Sequence, residues 1–218
     1  MQNIWLRLRA ETPADYRAVE ELTREAFWNH FGPGCNEHYL AHLLRDEDCF
    51  IRELDFVAEA EGKIVGSIMY TEAVIAGDDQ ANYPVLTFGP LAVLPAFQGR
   101  GVGGALVEHT KQLAAKQGHH AILIYGDPAY YRRFGFVPAE TFGIGSSDDF
   151  FADALQALEL RPGALSGCAG RFVEAPAFDV DQKRADLFDR LFPPKEKCAG
   201  LPSQERFLQL VKMRRPRK

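Results

Sequence analysis

Long apolar runs are missing from this chain: no stretch approaches the roughly 20 residues that a helix needs to cross a bilayer, so a helical membrane span is excluded. Cysteine is scarce and scattered. Cys35, Cys49, Cys168 and Cys198 contain no Cys-x-x-Cys pair, which argues against a disulfide frame or zinc site and for reduced residues in a cytoplasmic protein. An excess of positive charge is also absent; the net charge of -5 argues against general nucleic-acid affinity. The basic cluster at the end, Lys212, Arg214, Arg215, Arg217 and Lys218, is expected to be a solvated, frayed tail. Arg7 and Arg9 have no apolar stretch behind them, so a signal peptide is not expected. The six histidines show no metal-ligand spacing, and on a strand the adjacent His119 and His120 would face opposite ways. There is no repeat or low-complexity tract. What remains is 218 residues of ordinary globular composition, enough for one domain or a domain with an extension.

The pattern mixes strands and helices. Leu6-Arg7-Leu8-Arg9 alternates like a strand, and Thr12-Pro13 supplies a cap and first-turn proline for a helix with the apolar stripe Tyr16, Val19, Leu22 and Phe27. A second helix is predicted over 37–45. Strands near 55–60 and 64–75, joined by Glu61-Gly62-Lys63, form an antiparallel hairpin. The next strand, about 85–93, carries Gly89-Pro90 in its middle. Proline cannot donate to a ladder, so that strand must bulge or lose a neighbour there. Beyond a helix ending near Gly118 come a strand over 121–125, a short helix over 130–134 and a strand starting at Phe136-Val137. After Phe142 the pattern suggests strands over 155–160 and 171–173 and helices over 181–192 and 203–213.

The densest signal is Gln98-Gly99-Arg100-Gly101-Val102-Gly103-Gly104, lying between a strand and a helix. Four glycines in the six positions from 99 to 104 are poor helix material, so the helix start is being kept free of side chains. The first four N–H groups of a helix lack partners and the dipole adds positive charge, which makes such an end an anion site suited to a phosphate compound.

Gln98-Gly99-Arg100-Gly101-Val102-Gly103 resembles the Gln/Arg-x-x-Gly-x-Gly/Ala signature of the GNAT superfamily of acetyl-CoA-dependent N-acetyltransferases. Tyr131-Arg132-Arg133-Phe134-Gly135-Phe136 is similar to its later Tyr-x-x-x-Gly-Phe pattern. Gly89-Pro90-Leu91-Ala92-Val93 and Gly126-Asp127-Pro128-Ala129-Tyr130-Tyr131 resemble a bacterial branch of predicted N-acetyltransferases. The branch likeness continues in 158–165 and 192–197. The resemblance implies an α/β (α+β) fold, with a mixed, mostly antiparallel central sheet flanked by helices and splayed at the acetyl-CoA site. It divides the chain into an acetyl-CoA-binding domain over 1–140 and a C-terminal extension over 141–218. The extension shapes an acceptor pocket, forms a homodimer contact or simply packs on the same domain.

Acetyl-CoA is then the co-substrate, with no metal. The resemblance places pantetheine against the backbone of Leu91, Ala92 and Val93, and the pyrophosphate on the N–H groups of Gly99, Arg100, Gly101, Val102, Gly103 and Gly104. Gln98 and the Arg100 cation add side-chain contacts. The reaction implied is direct attack on the thioester by a primary amine of a small molecule or peptide, with Tyr131 donating a proton to the departing thiolate. Tyr131 also reads as a core ring beside Phe134 and Phe136. The base is open. Many relatives place a glutamate on the strand before the glycine loop, but 83–93 contain no carboxylate. Glu72 is a candidate that also reads as solvent-facing, and Asp127 one that also reads as a turn cap before Pro128.

Two other classes compete. Gly99-x-Gly101-x-x-Gly104 satisfies the dinucleotide fingerprint of an NAD-binding oxidoreductase, but Leu94 to Gln98 separate it from its strand and the chain before it reads as an antiparallel meander. No Gly-Lys-Ser/Thr follows, which excludes a triphosphate loop. A non-catalytic acetyl-CoA sensor remains open.

Overall fold

The computed structural model describes residues 5–217. The chain begins with β1 (Arg7–Ala10), α1 (Tyr16–Phe27), α2 (Glu37–Leu44), β2 (Phe56–Ala60), β3 (Lys63–Gly77) and β4 (Asn82–Val93). Next come α3 (Val102–Lys116), β5 (Ala121–Tyr125), α4 (Pro128–Tyr131), β6 (Val137–Pro138), β7 (Ile144–Gly145) and β8 (Phe150–Ala152). It closes with β9 (Leu155–Glu159), β10 (Gly170–Val173), α5 (Gln182–Asp189), α6 (Pro202–Lys212) and β11 (Arg214–Pro216). The elements form the expected mixed α/β fold with a mostly antiparallel sheet and flanking helices. Two compact units divide them. One holds residues up to Tyr70, Gly89–Thr110 and Pro176–Glu205; the other holds Thr71–Phe88, Lys111–Ala175 and the chain from Arg206 on.

In the first unit β1, β2 and β3 pair antiparallel in sequence order. Glu61 and Gly62 both take left-handed backbone angles, φ 52° and 75°, which match the twist of a two-residue hairpin. The helix expected at Pro13 starts as a 3-10 turn, because Asp15 accepts from both the N–H and the hydroxyl of Thr12 and the α-helix begins at Tyr16. Leu40, Ala41 and Leu44 of α2 bury with Met69 of β3, and Phe50 and Phe178 pack on them.

Asp55 is buried beside Glu11 in this unit, and Arg45 makes a paired contact to Glu11 at 2.8 and 3.0 Å. Burial first, then the Glu11 carboxyl, raise the Asp55 pKa well above the carboxylate range. A carboxyl that keeps its proton in the fold but loses it when unfolded contributes stability at low pH that is lost as pH rises. Wild-type stability should therefore fall from mildly acid to alkaline pH, by at most about 1.4 kcal/mol per pH unit from this group. Asp55→Asn mimics the protonated form and should flatten that slope. Denaturant midpoints at pH 5 and pH 8 check this; an unchanged slope would place the proton elsewhere.

In the second unit β4 pairs with β5 in parallel at Leu86↔Ile122, and β9 lies antiparallel between β5 and β6. β10 adds antiparallel to the end of β3, with Phe172↔Ile75 and Val173↔Val74, and pairs in parallel with β7. Ile75, Val85, Leu123, Leu155, Ala157 and Phe172 form the core. The basic tail is not frayed: Arg214–Pro216 pairs with β8, and the nearly buried Arg217 reaches Asp78, Asp149 and the Gly143 carbonyl. Partners distant in sequence neutralise it. Lys218 lies outside the described residues.

Candidate active site

The glycine segment is built by backbone conformation. β4 ends at Val93, the Leu94 N–H donates to the Val65 carbonyl at 2.9 Å, and Pro95–Phe97 makes one 3-10 turn. Gly99 and Gly101 then adopt φ 71° and 88°, a region that other residues enter at a cost of about 1–2 kcal/mol. The Ala105 N–H makes the first helical bond, to the Gly101 carbonyl at 2.9 Å, so the N–H groups of Val102, Gly103 and Gly104 lie ahead of the ladder. A Cβ at Gly99 or Gly101 would meet nothing within 4 Å. Glycine is therefore needed there for backbone angle, and the helix end is an uncluttered cradle of amides with the positive end of the α3 dipole behind it.

Gln98, Gly99 and Arg100 are exposed. The Gln98 side chain closes the turn by donating from Nε2 to the Val93 carbonyl at 3.0 Å, and Arg100 lies 5.5 Å from the Phe97 ring centre. Leu91 and Val93 are half-buried on β4, and Ala92 is buried.

Tyr131 closes α4 in the second unit. Asp127 caps this helix, accepting from the Ala129 N–H at 2.9 Å, and forms a two-pronged pair with Arg206 at 3.0 and 3.1 Å. Arg206 foremost holds the Asp127 carboxyl below the usual range, so its charge is already committed. The Tyr131 ring packs against Phe88 at 5.9 Å and Phe136 at 5.6 Å, and its edge lies so close to Gly126 that any side chain there would collide. Glycine at 126 thus leaves room for the ring edge against the chain just past β5. Both Gly126 and Asp127 hold Tyr131 in place.

Residues 52–138, which contain both motifs, match the family described as acetyltransferase (GNAT) domain. That stretch is similar to a GNAT acetyltransferase domain. It is 35% identical over 116 residues to the uncharacterized N-acetyltransferase YjhQ of Escherichia coli, covering 53% of this chain and 62% of that one. It is 29% identical over 163 residues to YhbS of the same organism, covering 75% of this chain and 92% of that one. The crystal structure of YhbS in complex with CoA superposes with a TM-score of 0.72 at 26% identity, covering 81% of this chain and 93% of that one. A GNAT acetyltransferase from Brucella melitensis in complex with acetyl-CoA gives 0.64 at 27%, covering 80% and 99%.

The carboxylates named as candidate proton acceptors divide clearly. Glu72 on β3 is exposed, and its charge is felt by His119 ahead of β5. Asp127 is committed to Arg206 and its own helix. Glu174, one residue past β10, was missed by sequence reasoning. It is half-buried, and burial alone raises its carboxyl to about 7. No sequence motif marks it; only the register of β10 does.

A Cys-His-Asp row in the first unit has a different character. Cys35 Sγ lies 3.5 Å from His38 Nδ1, and His38 Nε2 lies 3.2 Å from Asp189 but out of hydrogen-bond alignment. Arg24 binds Asp189 at 2.6 Å, burial lowers the His38 pKa, and burial followed by Glu37 and Asp189 pushes the Cys35 thiol up to about 12. A thiol so protonated is a packing group and not a nucleophile. Among the described residues no group of three or more His, Cys, Asp or Glu gathers as metal ligands.

Proposed function

We propose that the protein moves the acetyl group of acetyl-CoA to a primary amine by direct attack. The observation that carries this reading is the helix start at Gly99–Gly104, exposed over Gly99–Gly101, with open space at Gly99 and Gly101 and no acidic side chain within the segment. An anion of the pyrophosphate kind fits such a cradle. Arg100 adds a cation, and the backbone of Leu91, Ala92 and Val93 offers polar groups to the amide-rich pantetheine arm. The complexes of YhbS with CoA and of the Brucella protein with acetyl-CoA support the same donor.

In the reaction the amine nitrogen attacks the thioester carbonyl, the C–S bond breaks, and Tyr131 protonates the sulfur. An alkylammonium, with a pKa near 10, must first lose a proton, so a base is required near neutral pH. Cys35, Cys49, Cys168 and Cys198 form no disulfide, which suits a reducing, cytoplasmic setting. No described helix is long and apolar enough to cross a membrane.

Thiol release from acetyl-CoA across a panel of small amines and peptides tests the reading. Release that depends on the amine is expected. Binding of acetyl-CoA with no release by any amine would instead identify a sensor, and binding of NAD without CoA would identify the dinucleotide class.

A further inference from the structure

Resting on the acetyl-transfer reading, we infer that Glu174 is the group that takes the proton from the incoming amine. Strand alternation sets the faces of the sheet here. Phe172 is paired with Ile75 and buried with Val85, Ala121 and Leu123, so these side chains share one face of the sheet. Glu174 follows directly on the end of β10, two residues on from Phe172. Tyr125, two residues after Leu123, continues along the same face at the end of β5, and its ring lies 5.9 Å from that of Phe172. Burial and then the Glu174 charge raise the Tyr125 phenol, which places carboxylate and phenol in one neighbourhood.

Tyr131 occupies the opposite side. Its ring packs on Phe88, which is three residues from Val85 and therefore points to the other face of β4. Gly126, the next residue after Tyr125, is the one against which the Tyr131 ring lies. The end of β5 is thus flanked by Tyr131 on one face and by Glu174 on the other. A proton donor and a proton acceptor on opposite sides of one strand end suit a reaction in which sulfur leaves to one side and nitrogen arrives from the other.

The carboxylate of Glu174 has the character this task requires. Among the described residues no hydrogen bond or ion pair reaches it, so its desolvation is uncompensated, unlike that of Glu11, Asp15 or Asp189. A structural carboxylate in such a position would be expected to find a partner; a base must be left free for its substrate. With a pKa of about 7 it is ionised in a useful fraction near neutral pH while still holding a proton well. Glu72 is exposed on β3 and has no such burial.

In the step itself the nitrogen forms its bond to the carbonyl carbon, and the electron pair of the broken C–S bond goes to sulfur. Of the two protons shed by the ammonium, one goes to Glu174 and on to solvent. The other balances the proton that Tyr131 gives to the thiolate. The products are an N-acetyl amide, free CoA thiol and one proton.

The test is the pH profile of kcat/KM with the fastest amine of the panel. The wild-type rate should fall as pH drops through about 7. Glu174→Gln should lose that limb and on the order of 10²-fold in kcat, with acetyl-CoA affinity unchanged by calorimetry. The amide removes an uncompensated charge, so this variant should be at least as stable as wild type at pH 8. A carboxyl NMR titration of the wild-type protein needs no variant to fold, and should find Glu174 titrating near 7. Titration in the ordinary carboxylate range, or a Glu174→Gln enzyme with its acid limb and kcat intact, would overturn the assignment. So would loss of the limb in Glu72→Gln alone. Each of these leaves acetyl transfer standing, whereas a wild-type protein that releases no thiol with any amine removes the reading on which Glu174 rests.

Discussion

Tyr131→Phe should lower turnover by on the order of 10²-fold while leaving acetyl-CoA affinity near wild type. The substitution keeps the ring, and with it the contacts to Phe88 and Phe136 and the close seat on Gly126. What it removes is the hydroxyl proposed to protonate the thiolate. A change confined to kcat means that the lost interaction belongs to the transition state. Tyr130→Phe is the control within the same helix. Its ring lies under Arg133 at 4.0 Å and beside Phe134 at 5.5 Å, and the smaller effect on turnover is expected there. Steady-state and single-turnover rates, with chemistry limiting, decide the matter. A Tyr131→Phe enzyme at wild-type speed would make Tyr131 a packing residue, and equal losses from both tyrosines would mean that the pair acts together.

The second large effect concerns the cradle. Gly101→Asp should weaken acetyl-CoA binding by about 10- to 100-fold more than Gly101→Asn does. At φ 88° both side chains incur a backbone cost of about 1–2 kcal/mol, and a Cβ there meets no atom within 4 Å, so both variants should fold. They differ by one negative charge. A unit charge about 5 Å from another contributes about 3 kcal/mol at an effective dielectric of about 20, and salt screening at an exposed loop reduces this to the range given. Titration calorimetry measures the difference. Equal losses from Asn and Asp would attribute the effect to loop geometry, and unchanged affinity in the Asp variant would remove the anion from this site.

The parts of the fold that were legible are those whose signals are local. Glu61-Gly62-Lys63 announced a tight turn between two strands, and the chain turns there through Glu61 and Gly62. The glycines at 99 and 101 read as a helix start kept free of side chains, and their positive φ values add that the backbone angle itself calls for glycine. Strands β9 and β10 were visible as short apolar runs, yet their neighbours were not, because pairing is set by partners far along the chain. β8 and β11 are three residues each and carry no alternation to find them by.

Charge was the hardest feature to read. The terminal arginines looked solvated because their acidic partners, Asp78, Asp148 and Asp149, lie far away in sequence. Asp127 looked like a turn cap or a base, and only its pairing with Arg206 shows that the charge is committed. Glu174 had no local signature at all. Its burial and its lack of a partner arise from the register of β10 on β3, which no short window of sequence contains.

The central claim is that an acetyl group passes directly from acetyl-CoA to an amine. It is tested most directly by supplying acetyl-CoA labelled in its acetyl group together with the amine panel, and following the label by mass spectrometry over one turnover. Direct attack puts label on the amine nitrogen, releases one CoA thiol for each amide formed, and leaves no labelled protein at any time. Label held covalently on the protein before it reaches the amine would contradict direct attack, and label that never leaves acetyl-CoA would contradict the transfer itself.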